Sequence, residues 1–226
     1  IQMLKPKKNI TQKEIQRDPF LETVDKAQAH FEHNKSLYTQ IAIGVVVVVL
    51  GLTVLSNKRK THNVNADISL GQSLVALDQK DLENAKFQLE TVIDTYEGTK
   101  SANDAKYFLG KLYYDEGDVN KAKSLISSYY SKSSNEMMLA SSAQLLANLA
   151  LKQNKITDAL SILKKTGKKV KLQSQKNDIT LAEAKILILN GDNEKARLKI
   201  DHILKTEDIP NNQKQTAEEL LGKIAS

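Results

Sequence analysis

Four short segments of the sequence recur at a constant spacing of 37 residues, and this regularity limits the fold more than any other feature. The segments QKDLENA, EGDVNKA, QNKITDA and NGDNEKA align without gaps and end at Ala85, Ala122, Ala159 and Ala196. A fixed period of this length is typical of repeat proteins, in which each unit packs mainly against its neighbours. The sequence therefore predicts an array of four equivalent units.

Each unit has the pattern of two helices joined by a short turn. The chain is rich in helix-forming residues and contains only nine glycines and three prolines. The first helix keeps a small side chain at one position: Ser73, Gly110, Ala147 and Ala184. The second helix keeps a large one: Leu89, Ile126, Leu163 and Ile200. The turn contains Lys80, Gly117, Asn154 and Gly191, of which glycine and asparagine best accept a left-handed backbone. The fold class predicted from this pattern is all-α.

The repeat resembles the tetratricopeptide type. Its second unit, LGKLYYDEGDVNKA (Leu109 to Ala122), has the Leu-Gly, Tyr, Gly-Asp and Ala of that pattern at the expected spacing. The other units have Ala76, Ala150 and Leu187 where Tyr113 stands, and the usual period is about 34 residues. We therefore expect a tetratricopeptide-like solenoid of helical hairpins with longer loops between hairpins. Pro210 precedes a last helix that suits a solvent-facing cap at the C-terminus.

In tetratricopeptide arrays the first helix of each hairpin lines a concave groove that binds a partner segment. Applied to this sequence, that geometry predicts twelve groove residues: Leu70, Leu74, Leu77, Tyr107, Lys111, Tyr114, Gln144, Asn148, Leu151, Leu181, Lys185 and Ile188. This set is more apolar than charged, and it suits an apolar helical or extended segment better than an acidic tail. The alternative interpretation is that these side chains only pack between neighbouring hairpins.

An uncharged run from Leu37 to Leu55 precedes the repeats. A helix needs about 20 apolar residues to cross a bilayer, whereas strands rarely exceed about 10 residues. A cleaved signal peptide has a shorter apolar region and a small-residue cleavage site. Since about forty residues precede the run, we predict an uncleaved transmembrane helix at residues 37–56, with the repeat domain at residues 61–226.

Residues 1–36 are predicted to form an N-terminal tail with a short amphipathic helix. Phe20, Val24, Ala27 and Phe31 recur at helical spacing. Asp18 and Pro19 have the residue types of an N-cap and a first helical turn. The helix would lead into the membrane or lie on its surface.

Composition excludes several functional classes. The chain has no cysteine, so disulfides, cysteine-ligated zinc and thiol catalysis are excluded. Of its charged residues, 23 basic and 22 acidic side chains lie in residues 61–226, which argues against nucleic-acid binding. Catalytic constellations, cofactor motifs and metal-ligand clusters are not apparent, so we expect a non-enzymatic protein without cofactor, metal or small-molecule substrate.

The charges that flank the predicted span leave its orientation open. The positive-inside rule counts basic residues close to each end, where Lys58, Arg59 and Lys60 outnumber Lys26 and Lys35. Over the whole N-terminal segment, however, seven basic residues precede the span and three follow it. The first count favours a cytoplasmic repeat domain, and the second favours the opposite side.

Taken together, the architecture resembles that of the bacterial ancillary SecYEG translocon subunits, the YfgM-like family. The local marks are FLETVDKAQAHFEHNKSLY before the span and TYEGTKSANDAKYFLGKLYYDEGDVNKA after it. The resemblance implies a single-pass protein of the bacterial inner membrane with a periplasmic repeat domain. It also implies association with the Sec translocon and with a membrane-anchored periplasmic chaperone of the prolyl-isomerase type.

Two other functions remain open at this point. One is a membrane-anchored assembly or regulatory factor for envelope or division machinery. The other is a cytoplasmic-facing regulator that holds a signalling protein at the membrane, as the basic residues Lys58, Arg59 and Lys60 permit.

Overall fold

The computed structural model describes residues 19–133, 135–206 and 208–225, with side chains from Thr23 onward. The proposed N-cap Asp18 lies outside the described residues. The chain divides into two compact units, Ile1–Arg59 and Lys60–Ser226.

The first unit contains helix α1 (Pro19–His33) and the first part of helix α2 (Lys35–Asp78). The ring of Phe31 stacks on the ring of Tyr38 with 5.3 Å between centroids, and His30 meets the same tyrosine edge-on. The apolar side chains from Leu37 to Leu55 are exposed. In the described part of the chain, α2 is the one helix long and apolar enough to cross a membrane.

Residues 57–60, which separate the predicted span from the predicted repeat domain, are helical and belong to α2. The reason is local, because no glycine or proline occurs between Gly51 and Gly71 to end the helix.

In the residues that the structure describes, the second unit is a series of four helical hairpins followed by one helix. Its first hairpin consists of the end of α2 and α3 (Leu82–Thr95). The remaining hairpins are α4 (Lys100–Glu116) with α5 (Val119–Lys132), α6 (Glu136–Lys152) with α7 (Ile156–Gly167), and α8 (Gln173–Leu189) with α9 (Asn193–Leu204). Helix α10 (Asn211–Ala225) ends the array. The all-α prediction and the hairpin pattern are therefore confirmed.

The repeated small and large residues form the interior of the hairpins. All four repeat alanines and the large residues one turn later are fully buried: Ala85, Ala122, Ala159, Ala196, Leu89, Ile126, Leu163 and Ile200. Ser73, Ala147 and Ala184 are equally buried in the facing helix. Gly110 lies so close to α5 that an added Cβ would be 2.7 Å from Cγ1 of Ile126. The small position therefore sets the distance between the two helices of a hairpin.

The four turns within the hairpins have the same backbone geometry. Lys80, Gly117, Asn154 and Gly191 all have positive φ angles, between 57° and 87°. In each turn the next backbone N–H donates to a carbonyl five residues back, as Asp118 does to Tyr113 at 2.9 Å. This bond uses one of the carbonyls that a helix end leaves without a partner.

The expectation of longer loops between hairpins is wrong. The connections are residues 96–99, 133–135 and 168–172. Helices α4, α6 and α8 each contain 17 residues, so the long period is taken up by nearly five helical turns and not by loops.

The N-cap residue of α7 is a lysine, whereas the other second helices have an aspartate there. Asp81 and Asp118 accept hydrogen bonds from backbone N–H groups three residues later, whereas Asp192 and Lys155 make no side-chain cap bond. The backbone of Lys155 is close to theirs (φ −100°, ψ 66°), so an aspartate fits there. We expect Lys155→Asp to raise the free energy of unfolding by about 0.5–1.5 kcal/mol. Urea denaturation of the detergent-solubilised chain, followed by tyrosine fluorescence, measures this change. Lys155→Ala removes the charge without adding an acceptor, and an equal gain from it would contradict the capping explanation.

Glu136 supplies a cap to a helix of the next hairpin. Its carboxylate accepts hydrogen bonds from the backbone N–H groups of Leu172, at 3.0 Å, and Lys171, at 2.7 Å. Helix α8 begins at Gln173, directly after Leu172, and has no side-chain cap of its own. These two hydrogen bonds hold the pKa of Glu136 below its usual value, and the bond from Leu172 has the larger effect.

The lowered pKa predicts a loss of stability in acid. Because the folded chain favours the ionised form, the contribution of Glu136 is present above the pKa of an unfolded glutamate, about 4.3, and disappears as the pH falls through the lower folded value. We expect Glu136→Gln to be less stable than the wild type at pH 7 and to lose less stability between pH 5 and pH 3. Urea midpoints at these pH values test this. Glu194→Gln removes the same charge at an exposed position on α9, and a matching change there would refute the assignment.

Candidate protein-binding face

One side of the second unit is formed by the first helices of the hairpins. Helix α4 contacts α6, and α6 contacts α8. Among the described residues, the second helices α5, α7 and α9 make no such contacts with one another. Since the first helices approach each other more closely, they form the inner side of the array, which we call the inner face.

Three of the twelve predicted groove residues line an open cavity at the first two hairpins. This proximal basin has a volume of about 420 Å³ and includes Leu74, Leu77 and Lys111. It is completed by Asp78, Phe108, Leu112 and Asp115. Its floor is apolar, whereas Lys111 and the two aspartates are charged groups at its edge.

Five more predicted residues line a second cavity between the last hairpins and α10. This distal basin has a volume of about 440 Å³ and includes Gln144, Asn148, Leu151, Leu181 and Lys185. Leu181 is buried, and Asn148 and Lys185 are exposed. The arrangement again combines an apolar floor with a polar edge.

The remaining four predicted residues pack between helices. Leu70 and Ile188 lie against the buried clusters of the first and last hairpins. The ring of Tyr107 is 5.4 Å from that of Tyr129, and burial raises the pKa of its hydroxyl. Lys152 Nζ lies 4.5 Å from the ring centroid of Tyr114, which packs on the cluster around Ile126. Packing between hairpins, the alternative interpretation, describes these four, whereas Leu77, Leu151 and Leu181 both pack on buried clusters and line a basin.

The polar edge of the inner face contains three side chains at a regular spacing in the sequence. Lys111, Asn148 and Lys185 occupy the same repeat position, 37 residues apart, and all three are exposed. Each carries N–H donors and projects from the inner face. Together they provide a row of donors beside two apolar floors.

Comparison with known proteins agrees with this architecture. The family of the tetratricopeptide repeat-like domain matches residues 28–217 of the chain. The chain belongs to this family. No curated protein matches it.

The last helix of this tetratricopeptide repeat-like protein contributes residues that the sequence interpretation missed. Asn212, Gln213, Thr216 and Leu220 of α10 line the distal basin. Gln213 is buried and donates to Asp178 Oδ1 at 2.7 Å and to the carbonyl of Ser174 at 2.8 Å. The spacing of Gln213, Ala217 and Leu220, all buried, is the helical signal that could have revealed this face.

Asp178, which lines the distal basin, has a shifted pKa. Burial raises its pKa, and the hydrogen bond from Gln213 opposes that shift. In the described part of the chain, no three His, Asp or Glu side chains form a group that could hold a metal ion. Tetratricopeptide-type repeat domains are typically scaffolds for protein–protein interaction.

Proposed function

We propose that the chain is a non-enzymatic, membrane-anchored scaffold that binds an apolar segment of a partner protein on its inner face. The observation that carries the proposal is the pair of basins, because each combines a leucine-lined floor with exposed donors at its edge. Such a surface matches a helical or extended segment that inserts apolar side chains and keeps polar groups toward solvent.

An acidic tail fits this surface less well. The proximal basin contains Asp78 and Asp115 against a single lysine, and the distal basin contains Asp178 against Lys185. The two aspartates would repel an acidic segment at the proximal basin, and Asp178 balances Lys185 at the distal basin. The proposed ligand is therefore apolar, with at most a few groups that accept hydrogen bonds from Lys111, Asn148 and Lys185.

The proposed partners are components of the Sec translocon and a membrane-anchored periplasmic chaperone. Their support is the resemblance of the sequence to the YfgM-like family, together with the combination of one apolar helix and a repeat array. Anchoring at residues 37–56 would hold the inner face near membrane-embedded partners. The anchor would raise their effective concentration, so a weak groove would be sufficient.

A pull-down from mild detergent tests the partners and the site together. We expect the full chain to retain translocon and chaperone components, and a chain that lacks residues 61–226 to lose them. Asn148→Trp fills the distal basin from an exposed position and should reduce retention, whereas Asn120→Trp, exposed on α5, should not. Absence of both components from the full-length sample would refute the proposed partners. Equal retention by both tryptophan variants would refute the proposed site.

The proposed location is the bacterial inner membrane, with the repeat domain in the periplasm. The competing function is a cytoplasmic-facing regulator, which the basic residues Lys58, Arg59 and Lys60 favour. Protease added to intact spheroplasts distinguishes the two. Digestion of the repeat domain is expected, and protection of the domain would support the cytoplasmic alternative instead. A periplasmic assembly factor for envelope or division machinery would show the same digestion but other partners in the pull-down.

A further inference from the structure

Helix α2 carries an apolar stripe on the side of the helix that faces away from its own hairpin. Its members are Val64, Ile68, Gly71 and Val75, which we call the α2 stripe. The three larger side chains are 47%, 55% and 56% exposed, and nothing lies within 4 Å of a Cβ placed at Gly71. Ala66 and Ser73, which face the hairpin, are fully buried.

The positions equivalent to the α2 stripe in the other hairpins show the role of this surface in the array. The positions equivalent to Ile68 are Ala105, Ser142 and Ile179, and those equivalent to Val75 are Leu112, Leu149 and Ile186. All six are buried. Their helices pack against the second helix of the preceding hairpin, α4 on α3, α6 on α5 and α8 on α7. The α2 stripe is therefore a helix-packing surface whose partner hairpin is missing from the described part of the chain.

The two ends of the array are not equivalent. Helix α10 closes the far end by burying Ala217 and Leu220, and it exposes charged and polar residues such as Lys214, Gln215 and Glu218. Among the described residues, the exposed side of α10 is polar and does not suit head-to-tail stacking on the α2 stripe of another copy. The α2 stripe of a second copy is an equivalent apolar surface, and it can cover the first in a two-fold arrangement.

The residue types of the stripe favour such an arrangement. Thr61, Ile68 and Val75 are seven residues apart, and Val64 and Gly71 lie between them with the 3-4 spacing of a coiled coil. Parallel two-stranded pairs typically have β-branched residues at the first of these heptad positions, as here, and leucine at the second, which is Val64 and Gly71 in this chain. At the flanking positions of a parallel pair, Lys60 would face Asn65 and Asp67 would face Gln72, so like charges do not meet.

We propose that the α2 stripe binds the α2 stripe of a second copy and forms a parallel dimer of membrane-anchored chains. This step uses the membrane anchorage proposed above, because two anchors in one membrane give both helices the same direction. From Thr61 to Val75 the contact extends over only about 21 Å at 1.5 Å per residue. The contact therefore depends on the high effective concentration that shared anchorage provides.

Cross-linking of single cysteines tests the dimer, because the natural chain contains none. Full-length Val64→Cys, Ile68→Cys, Gly71→Cys and Val75→Cys variants are reconstituted in phospholipid vesicles and oxidised. A disulfide needs Cβ atoms about 4 Å apart. We expect several-fold more covalent dimer at these positions than for Asn63→Cys, which is exposed on another side of α2, or for the highly exposed Leu198→Cys on α9. Equal cross-linking at all six positions, or none, would overturn the proposal and leave the stripe to a different protein.

A second variant separates the contact from membrane insertion. Ile68→Glu, combined with Val75→Cys, should lose most of the cross-linked dimer while its thermal unfolding midpoint stays close to that of Val75→Cys, since Ile68 is more than half exposed. Vesicle flotation reports anchorage independently. A Val75→Cys chain without the glutamate that floats with vesicles but does not cross-link contradicts the dimer alone, whereas one that does not float contradicts the anchorage of the proposed function. Persistent cross-linking in the glutamate variant would also overturn the proposal.

Discussion

Truncation of Ile126 to alanine is expected to lower the free energy of unfolding of the repeat domain by about 2–5 kcal/mol. Ile126 is fully buried and packs in a cluster with Ala122, Leu146 and Leu149. Its removal leaves a cavity between the second and third hairpins, where neighbouring helices hold each other in place. Urea denaturation measures the loss. Leu198→Ala, at a side chain that is 72% exposed, should change stability by less than about 0.5 kcal/mol, and a comparable loss there would contradict the assignment.

Ile126 also explains why the second hairpin, formed by α4 and α5, has a glycine, Gly110, at its small position. Gly110→Ala would gain about 0.5–1 kcal/mol of helix propensity. Its Cβ would, however, meet Cγ1 of Ile126 at 2.7 Å and Cβ of Leu125 at 3.1 Å. Overpacking of this kind costs about 1–3 kcal/mol. In the Ile126→Ala background the closest of these contacts is absent, so Gly110→Ala should cost less there. An identical cost in both backgrounds would show that the contact does not limit the approach of α4 and α5.

The sequence predicted the features that repeat. It predicted the period, the small and large positions and the left-handed turns. These features recur because each of the four repeats has the same local requirement for side-chain size and turn geometry. The buried alanines and the positive φ of Lys80 and Asn154 follow from that requirement.

The parts that do not repeat could not be predicted in this way. Sequence periodicity shows which side of a helix is buried, but it does not show how one hairpin is rotated relative to the next. It therefore did not separate Leu151, which packs on a cluster and also lines the distal basin, from Ile188, which packs on the last cluster. The polar composition of α10 concealed the side that completes the distal basin. Helix α2 continues through residues 57–60 because no helix-breaking residue occurs there, and hydropathy alone does not show this.

Gln213 is the residue through which α10 binds the last hairpin. It accepts a hydrogen bond from Asn177 Nδ2 at 3.0 Å and donates to Ser174 and Asp178. Leucine has a similar size but makes none of these bonds. The amide of Asn177 and the half-buried carboxylate of Asp178 would then lose a partner, at a cost of about 1–3 kcal/mol.

We therefore expect Gln213→Leu to destabilise the array at neutral pH and to do so less in acid. Burial already raises the pKa of Asp178, and loss of the opposing bond from Gln213 raises it further. A carboxylate whose folded pKa lies above its unfolded value, about 3.9, favours the protonated folded chain, so the penalty is present at pH 7 and decreases as the pH falls through the folded value. Urea midpoints at pH 7, 5 and 4 should show the difference from wild type shrinking. Gln215→Leu, the same substitution at an exposed position of α10, should change stability little at any of these pH values. A penalty for Gln213→Leu that is constant with pH would mean that α10 is held by its apolar contacts and not by the bond to Asp178.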